Sequence, residues 1–511
     1  MNLFDIVGPV MVGPSSSHTA GAVRIGQVSR HLLGESVKEA KILLHGSFLA
    51  TGKGHGTDKA LVAGLLGMTA DDIRIPDSFE IAEESGMKFE IGKIQLKNAH
   101  PNSVKLLLVG ESGRNLEIIA CSLGGGRIKI CTIDGLEANF SGEYTTLVVH
   151  NDDQPGHVAE VTSMLAHKSV NIATMQLYRD HRGGSAVMVI ECDKEIPEEG
   201  LNFLERLEGI QKVTYLAKMK EDWSMGFTSV EEIKTRAKAE DCQLWEAILH
   251  DDMTERQVDR LESIGKMSSM YLAMKEANEN YDKDLRSRSG LSGGDGEKMM
   301  EEVRKMQNLT GEFVGTVMAN ALKMGESNAC MKRIVAAPTA GACGVLPAVL
   351  ITYEQFYKIP EAKMLEGMYI AAGVGQVIAE RACIAGAQGG CQAEIGSASC
   401  MAAAAITYIR GGSTKQVFDA GAFALKSLLG LVCDPLGGLV EVPCIKRNVI
   451  GSVNAITASD MAMAEIESKV PLDEVIDAMA EVGDLLPCSL KETSQAGLAQ
   501  TETGKKYMPE S

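Results

Sequence analysis

The sequence predicts a multidomain chain: an α/β (α+β) N-terminal domain, a small βαββαβ module and a mostly α-helical C-terminal domain. Strand and helix signals alternate over residues 1–142. A strand–helix–strand–strand–helix–strand order fits within residues 143–219. From 220 to 511 the apolar spacing is helical almost throughout. At 511 residues the chain exceeds what one core organises, so several domains are expected.

In the N-terminal domain, Lys41–Ser47 reads as a strand ending in a turn and Asp58–Leu66 as a helix. Ser103–Val109 and Arg114–Cys121 alternate in the β sense around a hairpin turn, Gly110-Glu111-Ser112-Gly113. Two polar clusters stand out. Gly13-Pro14-Ser15-Ser16-Ser17-His18-Thr19 precedes a helix expected over Ala20–His31. One hydroxyl would serve as a helix cap. Four hydroxyls and an imidazole are more than capping requires, and with free backbone N–H groups they suit a carboxylate. The second cluster, Thr51-Gly52-Lys53-Gly54-His55-Gly56-Thr57-Asp58, sets His55 between glycines, so its imidazole is expected to be unshielded. Asp58 would cap the next helix or orient that imidazole. The bland alternative is a flexible glycine-rich turn with an incidental histidine.

In the central module, Thr145–His150, Val170–Tyr178, Ala186–Cys192 and Val213–Leu216 read as strands. His157–His167 and Leu201–Leu207 read as helices, and Asn151–Gly156 and Arg182–Gly184 as turns.

In the C-terminal domain, Trp223–Thr235, Gln243–Ala273, Met299–Met324 and Leu472–Thr503 carry amphipathic helix patterns. Between them, from Ile334 to Ala405, charges thin out and small residues dominate. Ile334–Tyr353 has 20 uncharged positions, long enough to span a bilayer. Its prolines and glycines instead favour a buried helix with a substrate-facing loop. Arg288–Gly296 is glycine-rich but lacks the lysine of a phosphate-binding loop. Farther on, Cys391, Cys433 and Cys444 all sit on turn-like sequence, the latter two each tied to a proline. Three sulfurs presented from stiff turns suit a metal centre.

The net charge of −18 argues against nucleic acid or an anionic membrane as partner. The start, Met1-Asn2-Leu3-Phe4-Asp5, has no basic stretch typical of a secretion signal, so a cytoplasmic location is expected. There cysteines bind metals or catalyse more often than they form disulfides.

The central module resembles the ACT domain, a ligand-binding regulatory module, with Asp153-Gln154-Pro155-Gly156 as the matching turn. The C-terminal domain carries Ala337-Pro338-Thr339-Ala340-Gly341-Ala342-Cys343-Gly344, Gly390-Cys391-Gln392-Ala393-Glu394, Cys433-Asp434-Pro435, Val442-Pro443-Cys444 and Arg447-Asn448. With the Ser15–Thr19 and Gly54–Asp58 phrases, the chain resembles the iron–sulfur L-serine dehydratase (L-serine ammonia-lyase) family in a fused arrangement. That resemblance implies a β domain over 1–142, an ACT domain over 143–219 and an α domain over 220–511. It implies a [4Fe-4S] cluster on Cys391, Cys433 and Cys444, whose separations of 42 and 11 residues are unlike ferredoxin spacings. Three protein ligands leave one iron open as a Lewis acid.

The resemblance further implies that L-serine loses water and ammonia to give pyruvate. His18 and His55 are the candidate bases, Ser15, Ser16, Ser17 and Thr19 hold the substrate carboxylate, and Asp58 sets the tautomer of His55. Both ends of the chain are then expected to serve one site. An amino-acid effector at the ACT module and a homodimer are also implied. Cys343 lies in a glycine-rich loop outside the triplet. The chain ends Met508-Pro509-Glu510-Ser511, so ligation of the open iron by a terminal cysteine, as in some members, is not expected. Alternatives are a related lyase acting on threonine, a cysteine desulfidase, and a catalytically silent amino-acid sensor. A pyridoxal-phosphate lyase is disfavoured because no lysine lies between Arg333 and Lys358.

Overall fold

The computed structural model describes residues 2–50, 52–124, 126–141, 145–179, 181–216 and 226–507. The chain forms two compact units, Met1–Ser16 with Trp223–Ser511, and Ser17–Asp222. The boundaries expected at 142/143 and 219/220 lie outside the described residues, as does Thr51. The chain opens with a helical turn, Leu3–Ile6, whose first N–H groups are capped by Asn2, and a short strand, β1 (Val10–Val12). Both belong to the unit that holds the C-terminal helices.

The unit Ser17–Asp222 contains two sheets. The first has β2 (Val37–Leu44), β3 (Lys88–Lys93), β4 (Ser103–Gly110), β5 (Asn115–Gly124), β6 (Arg127–Ile133) and β7 (Leu136–Phe140), in the order β3-β2-β4-β5-β6-β7. Only the β2–β3 pair is parallel. Apolar residues alternate inward along β4, with Val104, Leu106 and Leu108 buried. The β4–β5 hairpin forms where its turn signal lies. The strand read at Lys41–Ser47 is β2, which ends at Leu44, and Gly46–Ala50 is already helical. The helices Gly21–Leu33 and Thr57–Leu66 cross with backbones nearly touching. A Cβ on Gly64 would lie 2.1 Å from the Val23 carbonyl oxygen, and one on Gly26 would lie 2.6 Å from that of Leu61. This crossing fixes the segments just before each helix, where His18 and His55 sit.

The second sheet is antiparallel, with β8 (Thr145–Asp152), β9 (Ile172–Arg179), β10 (Ser185–Cys192) and β11 (Ile210–Leu216) in the order β11-β8-β10-β9. Its helices are His157–His167 and Glu198–Leu204. Together they bury Leu147, Val149, Val161, Leu165, Met188, Ile190 and Leu204. This is the βαββαβ fold the sequence predicts. The second helix starts at Glu198 rather than Leu201 because Pro197, in extended conformation, ends the preceding segment there.

In the helical unit, β12 (Arg333–Val335) pairs antiparallel with β1. The apolar run from Ile334 therefore divides into a strand, a loop and the helix Val345–Tyr357. Among the described residues no helix is long and apolar enough to cross a membrane. The centre of the unit is the helix Ser397–Ile409, with every residue buried. Its alanines let Glu361–Arg381, Thr414–Lys426 and Cys444–Met463 pack closely around it. A Cβ on Gly421 would lie 3.1 Å from the Cys400 sulfur, and one on Gly367 would lie 2.5 Å from Ile409 Cδ1. Branched residues at these crossings would overpack the core.

Several expected helices are shorter or broken. Gln243–Ala273 divides into Leu244–Arg256 and Arg260–Glu279 because Gln257 adopts φ 53° and Asp259 caps the next helix. Met299–Met324 divides into Asp295–Arg304 and Gly311–Ala329 across Met306 (φ 55°) and Gly311 (φ 72°). The helix expected from Trp223 is Val230–Ala239, capped by Ser229, and residues 223–225 lie outside the described residues. Leu472–Thr503 is α-helical only to Leu485, and Pro487 follows.

Candidate active site

The three turn-borne cysteines converge within the helical unit, and all three are buried. Cys391 follows Gly390, whose φ of 77° lets the chain reverse after the short helix Gly386–Gly389. Cys433 is held by a backbone exchange with the C-terminal segment. Its N–H donates to the Leu490 carbonyl at 2.8 Å and its carbonyl accepts the Glu492 N–H at 2.8 Å. Cys444 is the first residue of the helix Cys444–Met463.

Cys391 is the centre of the group. Hydrogen bonds from the Cys433 and Cys444 thiols hold its sulfur well below the usual thiol range, against the effect of burial, and the Arg447 guanidinium adds to this. The same bonds, with burial, push Cys433 and Cys444 well above that range. Glu394 lies beside them, with its carboxylate and the Cys391 and Cys433 sulfurs within 4.8 Å of one another. Burial first, then the Cys391 charge, pushes Glu394 well above the usual carboxyl range. The same two causes push Glu492 up to about 7. Glycines make room for this convergence. A Cβ on Gly386 would lie 2.8 Å from Glu394 Oε2 and 3.3 Å from the Cys433 sulfur.

Arg447 lies one turn into the helix that begins at Cys444. It donates to the Cys391 sulfur at 3.2 Å, the Val432 carbonyl at 2.8 Å and Asp434 Oδ1 at 3.0 Å. Three thiols and the carboxyl groups of Glu394, Asp434 and Glu492 thus gather at one centre with the Arg447 guanidinium. Buried acidic groups in such excess are neutralised by protons or by a positively charged centre. The donor set therefore fits a thiolate-bound metal cluster. Replacing Arg447 by Ala leaves Asp434 and the Cys391 sulfur without their cation. A loss of about 2–4 kcal/mol of stability is expected, with weaker retention of a metal at the three thiols. Chemical denaturation and metal analysis measure both, and wild-type values in each would contradict this role for Arg447. Lysine restores the charge but not the fork of donors, so only partial rescue is expected.

Asn448 ties the Cys343 loop to the same helix. Its Nδ2 donates to the Gly341 carbonyl at 2.7 Å and its Oδ1 accepts the Gly344 N–H at 2.8 Å. The Cys343 thiol points elsewhere, toward the Met324 carbonyl at 3.7 Å, and burial pushes it up to about 12.

In the α/β unit, His18 and His55 form a pair with ring centroids 4.6 Å apart. His55 is buried, not unshielded as its flanking glycines suggest, because Gly52–His55 is itself a helical turn; Gly56, at φ 65°, then leads into Thr57–Leu66. His18 Nε2 lies 3.1 Å from Ser47 Oγ. Burial, then the neighbouring His55, holds His18 well below the usual imidazole range. It is therefore neutral near pH 7. The Thr19 hydroxyl donates to the His55 carbonyl at 3.1 Å, tying the two histidine segments together. Asp58 Oδ1 accepts the Lys59 N–H at 2.9 Å, in the first turn of its helix.

Ser15 and Ser16 are buried and belong with the helical unit, while Ser17 is half-buried. The Pro14 carbonyl just before them accepts Asn328 Nδ2 at 2.9 Å. Ser16–Ala20 is a π turn running directly into the next helix, so the Ser16, Ser17 and Thr19 hydroxyls lie within helical structure, with Ser15 just before it. A second π turn, Gln392–Gly396, follows Cys391 in the same manner. Such turns recur at functional sites. The motif phrases of the sequence contain Glu394 and Arg447 without marking a role for either, and Glu492 lies outside them, 48 residues beyond Cys444.

One unit is α/β and carries a buried histidine pair and the βαββαβ module; the other is helical and carries a buried three-thiol centre. Residues 239–499 match the model of the serine dehydratase alpha chain, 2–91 that of the serine dehydratase beta chain, and 145–209 that of the ACT domain. The chain is 31% identical to an L-serine dehydratase of Haemophilus influenzae over 98% of both chains. It is 40% identical to a probable L-serine dehydratase alpha chain of Bacillus subtilis, over 55% of this chain and 93% of that one. It is 41% identical to the corresponding probable beta chain, over 42% of this chain and 98% of that one. The chain belongs to the serine dehydratase family, with alpha-type and beta-type parts fused around an ACT domain.

Proposed function

We propose that this chain is an L-serine dehydratase, converting L-serine to pyruvate and ammonia, with a [4Fe-4S] cluster held by Cys391, Cys433 and Cys444. The observation that carries it is the convergence of three cysteines from distant turns into one buried, acid-rich centre around Arg447. A cluster held by these three cysteines would supply Lewis-acid chemistry.

The chain's own residues do the rest. Ser15, Ser16 and Ser17 bind the serine carboxylate through their hydroxyls, and Thr19, whose hydroxyl proton goes to the His55 carbonyl, through its backbone N–H. His18 or His55 removes the α-proton, and the depressed basicity of His18 keeps it neutral for that task. Thr19 also holds the His55 segment in place. Asp58, at the start of the helix after His55, orients that segment. The divisions 1–142, 143–219 and 220–511 correspond to β, ACT and α domains. The ACT domain binds an amino-acid effector at the turn Asp153–Gly156 in a homodimer. Asp153 braces that turn by accepting the Gly183 N–H at 2.9 Å and Arg179 Nη1 at 3.0 Å.

The test is anaerobic purification with iron and sulfide analysis, followed by pyruvate measurement with L-serine, L-threonine and L-cysteine. About four irons per chain and serine as the preferred substrate are expected. Turnover of serine by iron-free protein would overturn the cluster assignment. Iron-loaded protein that forms no pyruvate would overturn the activity and favour a sensor.

A further inference from the structure

We propose that Glu240, Cys242 and His250 form a second metal site, for a single zinc-type divalent cation, separate from the cysteine trio. The three donors lie at the turn between the helices Val230–Ala239 and Leu244–Arg256. Glu240 caps the end of the first helix, and Asp241, at φ 49°, turns the chain so that Cys242 comes back beside it. His250 lies in the second helix. Glu240 Oε2 is 2.7 Å from His250 Nδ1 and 4.0 Å from the Cys242 sulfur, and all three donor atoms lie within 4.8 Å of one another. A tetrahedral zinc site spaces such donors about 3.3–3.6 Å apart, given the usual metal–ligand lengths. Small side-chain rotations reach that spacing.

The carboxylate is already aimed. Arg236 Nε holds Glu240 Oε1 at 3.0 Å, which leaves Oε2 to face the imidazole and the thiol. The surroundings are acidic. Asp241, Glu246 and Asp251 lie on the same turn and helix, and the facing cations are Arg236, on Glu240 and Asp251, and Arg260, on Glu246. Burial, then Glu240, Glu246 and Asp241, raises the Cys242 thiol above its ordinary range, with Arg236 opposing. A divalent cation reverses that penalty, because it binds the thiolate and neutralises the carboxylates together. One sulfur, one nitrogen and one oxygen donor suit zinc rather than calcium or magnesium, which take oxygen. His250 is 37% exposed, so the cation can enter from solvent. Bound metal would tie the end of one helix to the middle of the next. The bland alternative is an ordinary Glu240–His250 ion pair with a bystander cysteine.

The test uses the full-length chain, prepared anaerobically with its iron intact and dialysed against zinc. One zinc per chain beyond the iron is expected. Cys242→Ser and His250→Gln should each weaken zinc binding at least about tenfold while leaving iron content unchanged. X-ray absorption at the zinc edge should report one sulfur among nitrogen and oxygen neighbours. Equal zinc uptake by both variants overturns the proposal. A sulfur-rich zinc shell does so too, since it would put the metal on Cys391, Cys433 and Cys444. If Cys242→Ser fails to fold, His250→Gln alone decides, because the His250 side chain is partly exposed and its replacement opens no core cavity.

Discussion

Cys391→Ala leaves the chain without bound iron and without turnover, the largest effect expected of any single substitution. Cys391 is the sulfur on which the other two thiols and Arg447 converge. Its removal takes away one of the proposed ligands. It also leaves two thiols and a guanidinium in a buried space with no shared partner. Cys433→Ala and Cys444→Ala should lose the cluster as well. Each removes a ligand but leaves the Cys391–Arg447 contact, so the folded protein should survive better. Iron and sulfide analysis under anaerobic conditions, with pyruvate formation from L-serine, measures the loss. Circular dichroism and the near-isosteric Cys391→Ser separate a lost ligand from a lost fold. Full iron and full turnover in any of the three alanine variants would sink the assignment of that ligand.

The three sulfurs were legible in the sequence because each sits on glycine or proline chemistry that only a turn tolerates. Their mutual contact was not, since separations of 42 and 11 residues carry no local signal. Arg447 and Glu492 show the same limit. An arginine one turn into a helix is ordinary, and only the fold reveals that this one faces Cys391. Glu492 reaches the centre because the C-terminal segment pairs with Cys433, a contact made by backbone groups that no side-chain pattern encodes. The βαββαβ module was read almost whole, since its periodicity changes from two to 3.6 at clear turn signals. Strands β3, β6 and β7 were missed: β3 is short and charged, and β6 and β7 meet at a turn around Asp134-Gly135. The helix break at Gln257 was missed because a left-handed glutamine has no sequence signature. His55 was misread for the opposite reason. Its glycines suggested openness, whereas Gly52–His55 forms a helical turn and the ring is buried.

His18→Ala and His55→Ala should each keep full iron and lower kcat by about 10²- to 10⁴-fold, the usual contribution of a positioned base. Wild-type kcat in both variants would move the base elsewhere. The pH profile then distinguishes the two rings. Burial and the neighbouring His55 depress the basicity of His18, so His18 takes up its proton only well below the ordinary value near 6.5. An enzyme using His18 therefore holds its activity into mildly acid solution. His55→Gln removes a repelling charge, so the acid limb of its residual kcat/KM should move to higher pH. If His55 is the base, that limb disappears instead.

Stability carries the same sign. Below about pH 6.5 the unfolded chain binds a proton that folded His18 refuses, so folding free energy falls as the solution is acidified through that region. Above it the imidazole is neutral in both states and contributes no pH dependence. His18→Gln should flatten the loss between about pH 6.5 and 5.5, measured by urea denaturation at each pH. An unchanged slope would show that His18 titrates normally in the folded protein. The depressed basicity that suits it to proton abstraction at neutral pH would then be absent.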